Sequence, residues 1–134
     1  MPRRIRLRKV VSPPRFKGYR PFGASSKSRK SIDLLYEEYE ALKLADYDLL
    51  NHKEAAELMG VSRPTFARIY ESARRKIAKA LVETLDINTV FGNVIMDKDW
   101  FFCSKCNARF NIPDNMSQET CPACKSKQIE LINK

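Results

Sequence analysis

Downstream of Asn51, apolar residues recur in steps of three and four. Phe66, Ile69, Ala73, Ile77, Leu81 and Leu85 trace one stripe, which predicts a long helix with a single buried face. Ser62 stands where an N-cap is needed, and Pro64 is tolerated in a first turn. A shorter helix is predicted just before it, over 52–59, with Ala55, Ala56 and Met59 facing inward. Asn51 offers its N-cap, with Glu54 at the capping-box spacing, and Gly60 breaks it. Upstream, Ile32, Leu35, Tyr39 and Leu42 keep the same step, and the next position, Asp46, leaves the apolar face. These predict a third helix over about 33–45.

Other stretches follow a different rule. Arg4-Ile5-Arg6-Leu7-Arg8 alternates strictly, as a strand does when Ile5 and Leu7 face inward. Residues 12–31 are rich in Pro, Gly and Ser, with Phe16, Tyr19 and Phe22 set among Arg15, Lys17 and Arg20. Ordering one residue costs about 1–2 kcal/mol of backbone entropy, so this stretch is expected to drape loosely in the free protein. Gly92-Asn93, between Thr89-Val90-Phe91 and Val94-Ile95-Met96, has the form of a two-residue hairpin turn. Short strands are expected around the cysteines beyond residue 100. The predicted class is mainly α: a three-helix helix-turn-helix domain with a short N-terminal strand or arm, plus a small β zinc-ribbon module. Its divisions are an arm and linker over 1–31, helices over 32–96, and a four-cysteine module over 97–134.

Charge sharpens the picture. The chain of 134 residues has a net charge of +9, distributed unevenly. Residues 1–30 carry eleven basic side chains and no acidic one, residues 31–62 two basic and eight acidic, and residues 63–85 six basic and two acidic. Two basic segments flanking an acidic one point to a polyanionic partner, with nucleic acid ahead of an anionic membrane. No apolar run reaches the roughly 20 residues of a membrane span, and no apolar stretch follows the basic start as in a secretory signal. A cytoplasmic protein is the expectation.

Two helices joined by a tight glycine turn form a DNA-reading unit when the second can enter a major groove. Ala56 is small where the helices cross, Gly60 tolerates the turn, and Val61 fills the corner. Opposite the apolar stripe of the long helix run Thr65, Arg68, Ser72, Arg75 and Lys79, a line without acidic residues. Arg63, Thr65 and Arg68 are the candidate base readers, since Arg bonds two guanine acceptors at once and Thr offers a hydroxyl and a methyl. Ser62 and the helix N-terminus are candidates for phosphate, as are Arg75 and Lys79 further along and Arg3, Arg4 and Arg6 of the arm. A homodimer would match two-fold half-sites, with Ile77, Leu81 and Leu85 as surface to cover.

Ala55-Ala56-x-x-Met59-Gly60-Val61-Ser62-Arg63-Pro64-Thr65-Phe66 resembles the helix-turn-helix of sigma-factor region four. Residues 1–85 more specifically resemble an uncharacterised prokaryotic family of short proteins predicted to bind DNA. The arm Pro2-Arg3-Arg4, the acidic helix Glu38-Tyr39-Glu40-Ala41-Leu42-Lys43-Leu44-Ala45-Asp46 and the basic helix Ala73-Arg74-Arg75-Lys76-Ile77-Ala78-x-Ala80-Leu81 carry this resemblance. Phe16-Lys17 is followed by Gly18 where that family has a Phe-Lys-Pro-like turn. The resemblance implies DNA binding and nothing finer.

All four cysteines fall in two pairs, Cys103-x-x-Cys106 and Cys121-x-x-Cys124, separated by fourteen residues. Two such knuckles can close a tetrahedral thiolate site, and Trp100-x-x-Cys103 with Cys121-Pro122-x-Cys124 resembles zinc ribbons. One structural zinc per chain is expected, with an iron site of the rubredoxin type as the alternative. Four cysteine ligands leave no open position for catalysis. The lone His52 is far from the cysteines in sequence and reads as an exposed first-turn residue rather than a ligand. The near-neutral module suits a protein contact or a brace for the helices. No nucleophile–base arrangement and no phosphate-binding glycine loop is found, so no enzymatic activity is expected. The leading reading is a DNA-binding transcriptional regulator. The alternative is a protein–protein adaptor of the transcription machinery with loose nucleic-acid affinity. A sequence-specific binder keeps a sequence-dependent component of affinity at about 0.2 M salt, and a loose polycation loses it.

Overall fold

The computed structural model describes residues 7–23, 30–96, 100–111 and 120–132. Among these residues the elements run β1 (Arg8–Lys9), β2 (Gly18–Tyr19), β3 (Ser31–Leu35), α1 (Tyr36–Leu42), a π-helical turn (Lys43–Tyr47), α2 (His52–Met59) and α3 (Arg63–Glu83). They continue with β4 (Asp86–Val90), β5 (Val94–Ile95), β6 (Trp100–Cys103), β7 (Arg109–Asn111) and β8 (Ile129–Leu131). The mainly α class is therefore corrected. Eight strands in three small sheets, ordered β1-β5, β2-β4-β3 and β7-β6-β8, stand beside three α-helices.

The largest departure from the sequence pattern lies at residues 31–35. A helix was expected from about residue 33, yet Ser31–Leu35 is a strand paired in parallel with Asp86–Val90, Ser31 opposite Asp86 and Leu35 opposite Val90. Leu34 is buried and Ser31 and Asp33 are exposed, which is the period of a strand. The helix begins only at Tyr36. The expected hairpin at Gly92-Asn93 is also absent: β4 pairs with β2 and β3, while β5 pairs in parallel with β1. Parallel partners cannot be joined by a tight turn, so both pairs are closed by chain that is distant in sequence.

The segment expected to drape loosely is, over residues 7–23, part of the fold. Pro13 and Pro14 are fully buried, and Gly18 and Tyr19 pair with Asn88 and Ile87. Gly18 is required there: a Cβ at this position would lie 2.2 Å from the Ile87 carbonyl oxygen. The departure from the Phe-Lys-Pro-like turn is thus a close approach of two backbones. Phe16 packs against Tyr19 and Tyr39, with ring centroids 4.6 and 6.0 Å away. Ile5 and the arginines of the alternating run at 4 and 6 lie outside the described residues; Leu7 is exposed.

Helix capping follows the sequence closely. Asn51 Oδ1 accepts from the Glu54 N–H at 2.8 Å, and Glu54 Oε1 accepts from the Asn51 N–H at 3.3 Å. Gly60 ends α2 with φ of 68°, a left-handed conformation that costs other residues a steric penalty. Ser62 Oγ caps α3 by accepting from the Thr65 N–H at 3.2 Å. The three α-helices and the π-helical turn share a core of Ala41, Leu44, Ala55, Ala56, Met59, Phe66 and Ile69. The stripe on α3 departs at its end: Ala80 is buried and Leu81 is 75% exposed, so the buried line runs Phe66, Ile69, Ala73, Ala80. Thr84, at φ of 58°, ends the helix one residue short of Leu85.

Three glutamates on α1 are buried, and each accepts at least one hydrogen bond, while Glu37 Oε1 has no partner among the described residues. Glu37 Oε2 accepts from the Asn93 N–H. Glu38 accepts from the Leu35 N–H, the Ser72 hydroxyl and the Lys76 ammonium at 2.8, 2.6 and 2.7 Å. Glu40 accepts from the Val11 N–H at 3.3 Å and faces Lys43 Nζ at 3.4 Å. Burial raises the Glu40 carboxyl above its usual 4.5, with Asp48 adding to the rise and Lys43 and Val11 opposing it.

Two outcomes follow from these contacts. Gly18→Ala is expected to lower stability by about 1–3 kcal/mol, because the clash is with backbone. An unchanged melting temperature would show that β2 does not pair with β4. For Glu40, a raised folded-state value means that its stabilising effect is full below the unfolded value and is lost as pH rises through the folded one. Glu40→Gln keeps an acceptor for Val11 and removes the ionisation. It should melt above the parent at about pH 7, with the margin closing near about pH 4. A margin that is the same at both pH values contradicts this account.

Candidate metal centre and basic helix face

The two cysteine pairs converge. All four Sγ atoms lie within 4.8 Å of one another, with Cys103–Cys124 at 3.6 Å and Cys106–Cys121 at 3.5 Å. A tetrahedral ion with metal–sulfur arms of about 2.3 Å separates its ligands by about 3.8 Å, so the cluster has the dimensions of such a site. The two knuckles are built alike. Asn107 and Lys125, each directly after the second cysteine of its pair, adopt φ of 64° and 61°. Their N–H groups donate to the Cys103 and Cys121 carbonyls, both at 2.8 Å. In turn the Cys103 N–H donates to Ala108 O and the Cys121 N–H to Ser126 O.

The electrostatics favour thiolate at the buried pair. Cys103 is lowered to about 7, chiefly by the Cys106 N–H, and Cys121 is lowered chiefly by the Cys124 N–H. For Cys106 the Ala108 N–H also pulls down, while desolvation and the three neighbouring thiols push it up, to about 12. Four thiols this close cannot all lose their protons without a cation among them. Residues Cys103, Phe110 and Cys121 form the module's core, with Phe101 stacked on Phe110 at 5.9 Å. Trp100 and Ile132 pack with Val10, Tyr36, Val94 and Met96, which joins the ribbon-like sheet to the helical part.

On α3 the structure separates the sequence candidates. Ser62, Arg63, Arg68, Arg75 and Lys79 are exposed. Thr65 is half-buried; its Oγ1 accepts from Ser62 Oγ at 2.9 Å and from Arg68 Nη2 at 3.4 Å, so it holds Arg68 over the first turn. Ser72 faces inward and donates to Glu38. Arg75 is paired with Glu71 at 2.9 Å, both well exposed, so the outward face is not free of acid as the sequence line suggested. Arg3, Arg4 and Arg6 lie outside the described residues. Sequence reasoning missed Arg74, whose guanidinium sits 5.3 Å over the Tyr70 ring and 3.9 Å from Asp46. His52 is half-buried rather than exposed and meets Phe66 and Tyr70 edge-on at 5.2 and 5.3 Å. Their i, i+4 spacing on one helix was the available signal. No helix among the described residues is long and apolar enough to cross a membrane.

Similarity to known proteins agrees with the sequence resemblance at the level of the family. Residues 1–97 match the family described as "Protein of unknown function DUF134". A UPF0251 protein of Chloroherpeton thalassium is 39% identical over 130 residues, covering 97% of this chain and 86% of its own. One from Caldicellulosiruptor saccharolyticus is 40% identical over 129 residues, covering 96% and 88%. An archaeal relative, from Methanothermobacter thermautotrophicus, is 36% identical over 133 residues, covering 99% and 69%. The family model ends before the first cysteine and the relatives span the cysteine module as well, and the chain belongs to the uncharacterised prokaryotic DUF134/UPF0251 family.

Proposed function

We propose that the protein binds double-stranded DNA through α2 and α3 as a helix-turn-helix, acts as a transcriptional regulator, and holds one structural zinc ion on its four cysteines. The observation that carries this reading is the junction of the two helices. A left-handed Gly60 and a Ser62 cap launch α3 away from α2 with its first turn exposed. An α-helix with its side chains is about 10–12 Å across and matches a major groove of about 12 Å.

In that pose Arg63 and Arg68 reach base edges, and Thr65 acts by aiming Arg68. The Arg63 N–H and the Ser62 backbone meet phosphate, since Pro64 has no N–H and the Thr65 N–H is taken by Ser62 Oγ. Arg75 and Lys79 lie farther along and contact phosphate. Ser72 takes no part, because its hydroxyl is committed to Glu38. The metal would act by fixing the two knuckles, and with them the sheet that carries Trp100 onto the helical part. Cys103, Cys106, Cys121 and Cys124 would be its complete ligand set, so it has no open position for a substrate. An all-thiolate set at tetrahedral dimensions suits zinc and also a rubredoxin-type iron, which elemental analysis tells apart.

Fluorescence anisotropy on a selected duplex and a random one, across a salt series, tests the DNA reading. Arg68→Ala is expected to cost about 1–3 kcal/mol on the selected duplex and to relax preference at one position. Arg75→Ala should weaken both duplexes alike and reduce the salt slope by about one. Ser72→Ala should lower the melting temperature and leave DNA affinity alone. If the selected and random duplexes bind equally, or both arginine variants bind like the parent, the reading fails.

The metal is tested by elemental analysis and chelation. One zinc per chain is expected. Cys121→Ser should lose it and shift Trp100 fluorescence to the red while the far-ultraviolet helical signal persists. Metal-free protein with four freely reactive thiols would falsify the assignment.

A further inference from the structure

A cleft of about 730 Å³ opens where the folded part of the N-terminal segment, α1, the π-helical turn and α3 meet. Its volume falls within the range of about 300–1,000 Å³ common to small-molecule sites. Four aromatic side chains line it: Phe16 and Tyr19 from the N-terminal segment, Tyr39 from α1 and Tyr47 from the π-helical turn. Aliphatic side chains, Ile77 of α3 and Ile87 of β4 among them, complete the apolar lining.

The charged groups at its edge are unequal. Asp46 is already engaged by the Tyr70 hydroxyl at 2.5 Å and Arg74 at 3.9 Å. Lys43 is shared with Glu40 at 3.4 Å. Arg15 is exposed and makes no ion pair or hydrogen bond among the described residues. The cleft thus presents spare positive charge beside aromatic rings. The helix geometry is a second pointer. π-Helical turns are rare and recur at functional sites, and this one places Lys43, Asp46 and Tyr47 on the cleft.

We propose that this cleft binds a small aromatic carboxylate, with its ring among Phe16, Tyr19, Tyr39 and Tyr47 and its carboxylate on Arg15 and Lys43. Aromatic rings stack on aromatic neighbours, and a guanidinium matches a carboxylate in two hydrogen bonds. The site joins the N-terminal segment and β4 to α1 and the π-helical turn, so occupancy ties these segments together. The proposal stands whether or not α3 binds DNA.

The test uses the full chain, isotope-labelled and titrated with salicylate, indole-3-acetate and 1-naphthoate while amide resonances are followed. At least one should saturate with a Kd of about 1 mM or tighter. The shifts should centre on Phe16, Tyr39, Lys43 and Tyr47. The uncharged amide of the best acid should bind at least about tenfold more weakly. Arg15→Gln, at an exposed position, should reduce the difference between acid and amide, Lys43 keeping the rest, without changing the melting temperature. Tyr47→Ala, also exposed, should weaken both. The proposal is overturned if none of the acids saturates up to about 10 mM, or if Arg15→Gln leaves the preference for the acid undiminished. It is overturned as well if a duplex displaces the bound acid competitively, since the cleft would then belong to a nucleic-acid surface.

Discussion

Three carboxylates buried on a single short helix tie distant segments of the chain to one element. Burying a carboxylate is unfavourable unless hydrogen bonds or cations meet it. Here Glu37 takes an N–H from the loop before β5, Glu38 takes Leu35, Ser72 and Lys76, and Glu40 takes Val11. The acidic segment thus forms an internal hub rather than a solvated surface. It draws the N-terminal segment, the loop after β4 and the long helix onto one element. The placement of α3, and so of its exposed first turn, depends on that hub.

What the sequence disclosed and what it hid divide along one physical line. Local signals were legible. Asn51 with Glu54, Gly60, and Ser62 act within one turn of chain, and each sits in the structure where its chemistry placed it. The cysteine spacing was equally legible, because four thiolates at that spacing have few other uses. Non-local pairing was not. Ile32 and Leu35 fit a helical step as well as a strand, and only the distant β4 decides between them. The same holds for Gly18, whose reason is a carbonyl at Ile87. Ser72 fitted the outward line of α3 by angle, and an acceptor on another helix turned it inward.

The cysteine module and the helical part meet through Trp100, Ile132, Val10, Tyr36, Val94 and Met96. Tyr36 opens α1, one residue before the first of the buried glutamates. The ribbon-like sheet therefore rests against the same helix that organises the rest. In doing so it covers the apolar patch of Val10, Tyr36, Val94 and Met96, which lies beside the two-residue strands β1 and β5.

The parallel pairing of β3 with β4 also bears on the order of synthesis. Ser31 cannot find Asp86 until every helix between them has left the ribosome. Until then α1, α2 and α3 have their caps and their shared core, but the strand before α1 has no neighbour on its open edge. An unpaired edge is a template for pairing with another chain. The helices therefore complete their local contacts early, and the nascent chain stays vulnerable to association until β4 emerges and closes that edge.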